Sequence, residues 1–581
     1  LPLLKGNISV KRIIMNTASV SMAPATGGTA STSPTSWPVQ HDIAGSLKTL
    51  GGFLDRIADD VENAGLDEVL LGDTKLVGFD GLGLRSRDAR IVSLKLERDV
   101  NFQSGLFVRA VIEAEHANWS VGGAWRRLDD GTKLLELKAA GADLREFFAG
   151  ANPDDPEVVY ADSPFGFMLN IPYSEQGDPR QAVARFDIDK GRLRLDSDYD
   201  TSLIAARFNL RILPEKNQID LERSPIKVPS ATMNLIGGLK FPQTSEGGES
   251  SGKPVFELIA NDIESRALLA KGEPAQAAIR LGGWIDGENK ALHADEISLT
   301  SKTGAASGTG RFGFAGETPS VKLNLKVAKI AVDELKQLWH PVIAPKLRDW
   351  IATGVSGGMI ENANVAMDVP AGILGNIKKG KRFEKGQLVV NLPVKGARIK
   401  SFGDLPSITN AVGEVDHNAM TSSISLRSAD VVMKGGRKVQ LSNGQLDFGD
   451  FSLKAIPARL TLGLGADAAA AAQLGQYKPL SFASRIGVSP SDLSGRIAAD
   501  AQVAFNLEDG GAISGLDWKA DIKVSKFSSK KPISGRKLSD ANLSILVDRS
   551  VAKIDGTANI DGIAAKVAMV ESLDGTASGG E

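Results

Sequence analysis

The chain has 581 residues, which at one domain per ~100–200 residues suggests about three to five domain-sized units. Lys+Arg 68 against Asp+Glu 70 leaves a net charge of -2, so no basic field points to nucleic acid. With 42% hydrophobic and 24% charged residues the composition is that of a folded chain, and the absence of cysteine excludes disulfide scaffolds and thiol chemistry together.

Residues 1–65 read as an N-terminal strand, a flexible loop rich in Ser, Thr, Gly and Pro over 17–40, and an amphipathic helix over 42–64. In that helix Ile43, Leu47, Leu50, Leu54, Ile57 and Val61 step by three and four, Asp42 can cap the start and Gly65 ends it. From about residue 66 onward the pattern changes to period 2. Leu106, Val108, Ala110 and Ile112 alternate with other residues, as do Ala206, Phe208, Leu210 and Ile212. Val321, Leu323, Leu325 and Val327 are separated by Lys322, Asn324 and Lys326. The alternation returns at Ile497, Ala499, Ala501, Val503 and Phe505, and again at Trp518, Ala520, Ile522 and Val524. Strands of this kind set one face in an apolar environment and the other in water.

Two further helical signals interrupt the strands. One covers 333–353 and is broken by Pro341 and Pro345; the other is the alanine-rich run 467–474. The segments are therefore 66–300, 301–475 with its helical insert, and 476–581. A unit of alternating strand, Asp and short amphipathic helix recurs at Asp143, Asp262, Asp333 and Asp467, at spacings too unequal for a strict solenoid.

Catalytic motifs do not survive their structural requirements. Gly354-Val355-Ser356-Gly357-Gly358 fits the hydrolase elbow, but a helix precedes it and a strand follows, the reverse of the needed order. Gly308-Thr309-Gly310-Arg311-Phe312-Gly313 matches G-x-G-x-x-G without a helix to open, and in a chain with 62 glycines such a match is expected by chance. Asp196 to Asp200 lacks the Gly and closing Glu of a calcium loop. The five histidines, His41, His116, His293, His340 and His417, form no zinc-type pair. The expectation is a protein that is not an enzyme and has neither cofactor nor metal.

Leu338-Trp339-His340-Pro341, Ala344 to Ile351 and Gly357 to Ala363 together resemble a signature of YhdP-like proteins in the AsmA-like superfamily of Gram-negative envelopes. Phe402 to Ile408 with Gly413, and Lys478-Pro479-Leu480 leading to Leu493-Ser494-Gly495, support the match. The resemblance covers about residues 300–570. It implies a bridge-like lipid transfer protein, in which a long twisted antiparallel β-sheet curls into an elongated apolar groove with a few short amphipathic helices. It also implies an N-terminal helix in the inner membrane and a periplasmic body that moves phospholipid toward the outer membrane. The motif residues Trp339, Pro341, Trp350, Gly357 and Gly358 would be structural, the tryptophans packing the helices and the glycines turning the chain back into a strand.

Physics gives such a groove a purpose. Exposing the tails of a two-chain lipid to water costs about 0.8 kcal/mol per CH₂, roughly 20 kcal/mol in all. Strands stacked at ~4.8 Å offer a continuous apolar floor, and roughly 35 of them would reach on the order of 170 Å. Val321, Leu323, Leu325, Val327, Ile497, Ala499, Val503 and Phe505 are the expected floor residues, in contact with phospholipid acyl chains. The chain opens at Leu1 rather than Met and closes on a Gly-rich run, so the expectation is a fragment. It would continue upstream into one membrane helix and downstream into more β-structure. Outer-membrane or envelope proteins are further expected partners. The alternative function is an envelope scaffold or outer-membrane assembly factor that uses the same β-body for protein contacts; a carbohydrate-active β-solenoid is disfavoured by an aromatic content of 6%.

Overall fold

Wherever apolar and polar side chains alternate in the described chain, a strand forms. The computed structural model describes residues 10–21, 42–77, 90–99, 103–114, 117–147, 160–194, 200–243, 252–266, 273–315, 319–339, 345–373, 383–401, 403–478, 489–508, 512–533 and 535–573. Among these, 29 strands join one sheet and three short ones, Tyr160–Asp162, Gly191–Arg194 and Asp200–Leu203, form a small second sheet. The large sheet is a meander of antiparallel neighbours running with the sequence from Glu68–Val77 to Ile563–Ser572. Its two parallel pairings lie at one edge, where Arg12–Met15 and Ala18–Ser21 both join Glu68–Val77. The ladder passes through the segment boundaries at 300/301 and 475/476 without a break.

At about 4.8 Å per strand the ladder is roughly 130 Å long, shorter than the sequence estimate because the strands are fewer and longer. The expected strong curl is not found; the sheet is not strongly curled. Side-chain alternation sets which face of a sheet is apolar and not how far the sheet curves. Among the described residues there are four α-helices.

The helices are α1 (Ile43–Asn63), α2 (Val332–Leu338), α3 (Pro345–Gly354) and α4 (Ala468–Leu474). Asp42 caps α1 by accepting from the Gly45 N–H at 2.8 Å, and Gly65, at φ 65°, lets the chain leave it. Asp467 caps α4 in the same way, accepting from the Ala470 N–H at 2.7 Å. The single expected helix over 333–353 is two helices, with 340–344 between them outside the described residues.

The recurrent strand–Asp unit has a common location. Because strands alternate in direction, Lys133–Asp143, Val255–Ser265, Ser320–Ala331 and Ile456–Asp467 all point the same way and end on one long rim. Asp143 leads into a short 3₁₀ turn, Leu144–Phe147; Asp333 lies in α2; Asp467 caps α4. Asp262 departs from the pattern. It sits inside its strand at φ 53°, where the register shifts by a bulge, and the next residues of the expected helix, including Leu268, are outside the described set.

Helix α1 holds the opposite rim. Its apolar stripe covers Leu106, Trp125, Leu135, Ile171 and Tyr173. Tyr173 is fully buried, its ring edge-on to Trp125 at 5.3 Å, and its hydroxyl donates to the Leu47 carbonyl at 3.0 Å. Burial first, and the Asp55 charge second, push that hydroxyl up to about 12. Lys133 reaches from the strand to Asp55 at 2.5 Å and fixes the helix in place.

Candidate functional site

The apolar face of the sheet carries the feature that matters most for function: a row of directly opposed residues, one per strand, that crosses almost the whole ladder. It starts at Ile13 and passes Val69, Leu96, Val108, Gly123 and Leu137. It continues through Leu169, Ala184, Leu210, Leu221 and Gly237. Leu258, Leu281, Ile297 and Gly308 bring it to Leu325. Beyond Leu325 come Val365, Val390, His417, Ser422, Phe448, Ala458 and finally Phe505. Every member is apolar or glycine except His417 and Ser422.

This register answers where the expected floor residues lie. Val321, Leu323, Leu325 and Val327 share one face of Ser320–Ala331 and are half-buried, while Lys322, Asn324 and Lys326 on the other face are exposed. Ile497, Ala499, Val503 and Phe505 share one face of Leu493–Leu507 and are also half-buried. Leu325 and Phe505 stand in the same row although 180 positions separate them. A second row ties Val503 to Leu460, Leu446, Ile424, Val415 and Leu392.

Burial along the main row shows what covers it. From Ile13 to Val365 its members are half-buried, with Ala184 the buried exception. Full burial elsewhere on this face includes clusters formed with the helices. Ile330 and Ile360 lie in the cluster that includes α2 residues, and Val439 and Leu441 lie with Ala470 of α4. Half-buried side chains along the middle of a sheet leave apolar surface that a ligand could cover.

The opposite face is held by cross-strand ion pairs such as Lys322–Asp368 at 3.1 Å, Lys395–Glu361 at 2.7 Å and Arg280–Glu257 at 2.6 Å. Exposed pairs of this kind contribute little stability each. They keep the outer face wet and set the polarity of the sheet.

The motif residues have local roles. Trp339 is half-buried against the cluster around Leu335 and Leu338, and its carbonyl accepts from Arg348 Nε of α3 at 3.0 Å. Gly357 and Gly358, at φ 62° and 82°, link Val355–Ser356 to Met359–Val369, and Asp333 accepts from the Gly357 N–H at 2.8 Å. A Cβ on Gly358 would stand 2.8 Å from the Ala397 nitrogen. Pro341 and the Trp350 side chain lie outside what the structure describes.

Sequence reasoning missed His417, Ser422, Phe448 and Phe451 as members of this site. The signal was present: His417 occupies an apolar position in the alternation Gly413, Val415, His417. Among the described residues there is no group of three or more metal-binding side chains, and no helix is long and apolar enough to cross a membrane. No family model, curated protein or solved structure matches the chain.

Proposed function

We propose that the chain carries phospholipid between membranes along the apolar face of its sheet, without catalysing a reaction. The observation that supports this reading is the cross-strand row from Ile13 to Phe505, apolar along most of its length and, as far as Val365, half-buried at every member but Ala184. A lipid whose tails lie along this row keeps its CH₂ groups out of water at every step, and the cost of about 0.8 kcal/mol per exposed CH₂ is avoided. The acyl chains rest on an open face between helix-bearing rims, and the headgroup stays in solvent. The resemblance of residues 300–570 to YhdP-like proteins favours the same assignment, and with it a periplasmic body anchored at the inner membrane.

The test is to express the chain in a bacterial host, purify it without detergent and examine it by native mass spectrometry and lipid extraction. Co-purified phospholipid, in amounts that fall when the row is altered, is the expected result. Lipid-free protein that also takes up no fluorescent phospholipid from vesicles overturns the proposal.

A further inference from the structure

The polar interruption of the row coincides with the stretch where the row is closed over. Val390, His417, Ser422 and Ala458 are buried, with Phe448 among them half-buried, and Val365 before them and Phe505 after them are half-buried. His417 Nδ1 and the Ser422 hydroxyl share a hydrogen bond of 2.7 Å across the strand pair. Val390 is packed in the cluster that includes Leu388, Leu392 and Phe383, whereas His417 meets residues 449–455, which connect Lys438–Phe448 to Ile456–Asp467. Phe451 of this loop lies 6.0 Å from the His417 ring and 6.0 Å from the Phe448 ring. Its backbone N–H donates to the Met420 carbonyl at 2.9 Å, and Gly449 N–H donates to the Pro457 carbonyl at 2.8 Å. The loop thus sets Phe451 against the polar pair of the row.

We propose that loop 449–455 is a clasp over the apolar row, held shut around a neutral His417 and released when that imidazole takes up a proton. Among the described residues the polar partner of the His417 ring is the Ser422 hydroxyl, and no carboxylate pairs with it. Asp416, next in sequence, points to the opposite face and accepts from Asn391 Nδ2 at 2.7 Å. Asp447 is likewise engaged there by Ser423 and Gln445, each at 2.8 Å. In the loop itself Asp450 accepts from the Ser452 N–H at 2.7 Å, and Lys454 is exposed. In the turn before Val390, Glu384 and Lys385 are exposed. Burial is the cause that holds the imidazole below its ordinary value.

The sign follows from linkage. The open form exposes the imidazole, which then titrates near its ordinary ~6.5, while the closed form resists the proton. As pH falls below ~6.5, opening becomes favoured by about tenfold per pH unit until the closed-form value is reached. The clasp is a property of the fold and holds whatever ligand occupies the face.

Hydrogen exchange read by mass spectrometry, corrected for intrinsic rates, tests it on the full chain between pH 7.5 and pH 4.5 (~3 units, chosen to bracket the ordinary imidazole value). In the unaltered protein, protection over 449–455 should fall as pH falls, while strand Ser320–Ala331 keeps its own. The double variant His417→Phe with Ser422→Ala removes both polar partners together, so neither is left unpaired, and its loop should show no such pH dependence. Equal pH dependence in both proteins, or undiminished protection in the unaltered one, overturns the proposal. If the double variant fails to fold, the His417 ring signal in NMR decides. Its titration must coincide with loop release, and an ordinary titration with the loop still protected refutes the clasp.

Discussion

At the scale of single residues, the face a side chain occupies decides what a substitution does. Leu325 stands in the row, half-buried between Gly308 and Val365, and Asn324 is exposed beside it on the other face. A carboxylate at a half-buried position keeps partial access to water, so Leu325→Glu forfeits apolar contact worth about 1–2 kcal/mol rather than the penalty of a dry core. It still breaks the apolar track, because acyl chains cannot solvate a charge. Leu325→Glu is therefore expected to keep its circular-dichroism spectrum and lose most bound phospholipid, while Asn324→Glu changes neither. Retention of lipid by Leu325→Glu would place the path elsewhere, and its unfolding would mean a closed core. The glycines of the row have a separate reason to be there. A Cβ on Gly308 would stand 1.9 Å from the Asn324 carbonyl oxygen, so the strands approach too closely for any side chain. This close approach accounts for the G of a motif that resembles a nucleotide loop and is in fact strand Ala305–Gly313.

At the scale of elements, local chemistry was legible and long-range placement was not. Asp42 and Asp467 could be read as caps because capping needs only a short acceptor before a helix. Asp262 has the same look in sequence, yet Asp also tolerates the left-handed conformation of a bulge, and there it accepts from Asn234 Nδ2 at 3.1 Å instead. Alternation fixes which residues share a face, but it carries no information on curvature, so the expected strong curl had no residue-level support. Nor could it tell that Leu325 and Phe505 would meet in one row, since that depends on every bulge between them. The cap on α1 makes a separate prediction. The Ile43 N–H donates to Asn217 Oδ1 at 3.0 Å, so the first turn is tied to the sheet by a side chain other than Asp42. Asp42→Ala should then cost about 1 kcal/mol, the usual value of a lost cap. The loss should appear as faster amide exchange at Gly45 and Ser46, with exchange in strand Lys133–Asp143 unchanged. Faster exchange through the whole of α1 would instead show that the cap holds the helix on its rim.

At the scale of the whole molecule, a meander of this length behaves as a nearly one-dimensional ladder. Each strand bonds to its sequence neighbours, and long-range cooperation comes from the helices that span several strands. That cover is uneven. Helix α1 seals a cluster that includes Leu106, Trp125, Leu135, Ile171 and Ala182, and α2 and α4 bind two more in the middle of the chain. The described residues from 493 to 573 hold no α-helix, and their buried apolar side chains are Val524, Ala541 and Ala558. The final strand is barer still, with Ile563 and Val570 each 71% exposed. Folding free energy scales with apolar burial, at about 25 cal/mol per Å², so these strands should be the least stable part of the ladder. Unfolding is therefore expected to depart from a single two-state transition. In a urea series followed by pulsed hydrogen exchange, protection over residues 513–533 and 535–572 should vanish first, and protection over 118–143 and 164–173, strands that pack against α1, should persist to clearly higher urea. The slope of the first transition should be small for a chain of 581 residues, because only a few strands expose their surface in it. Coincident loss of protection in both regions would show that the sheet itself, without helical cover, transmits cooperativity across the ladder.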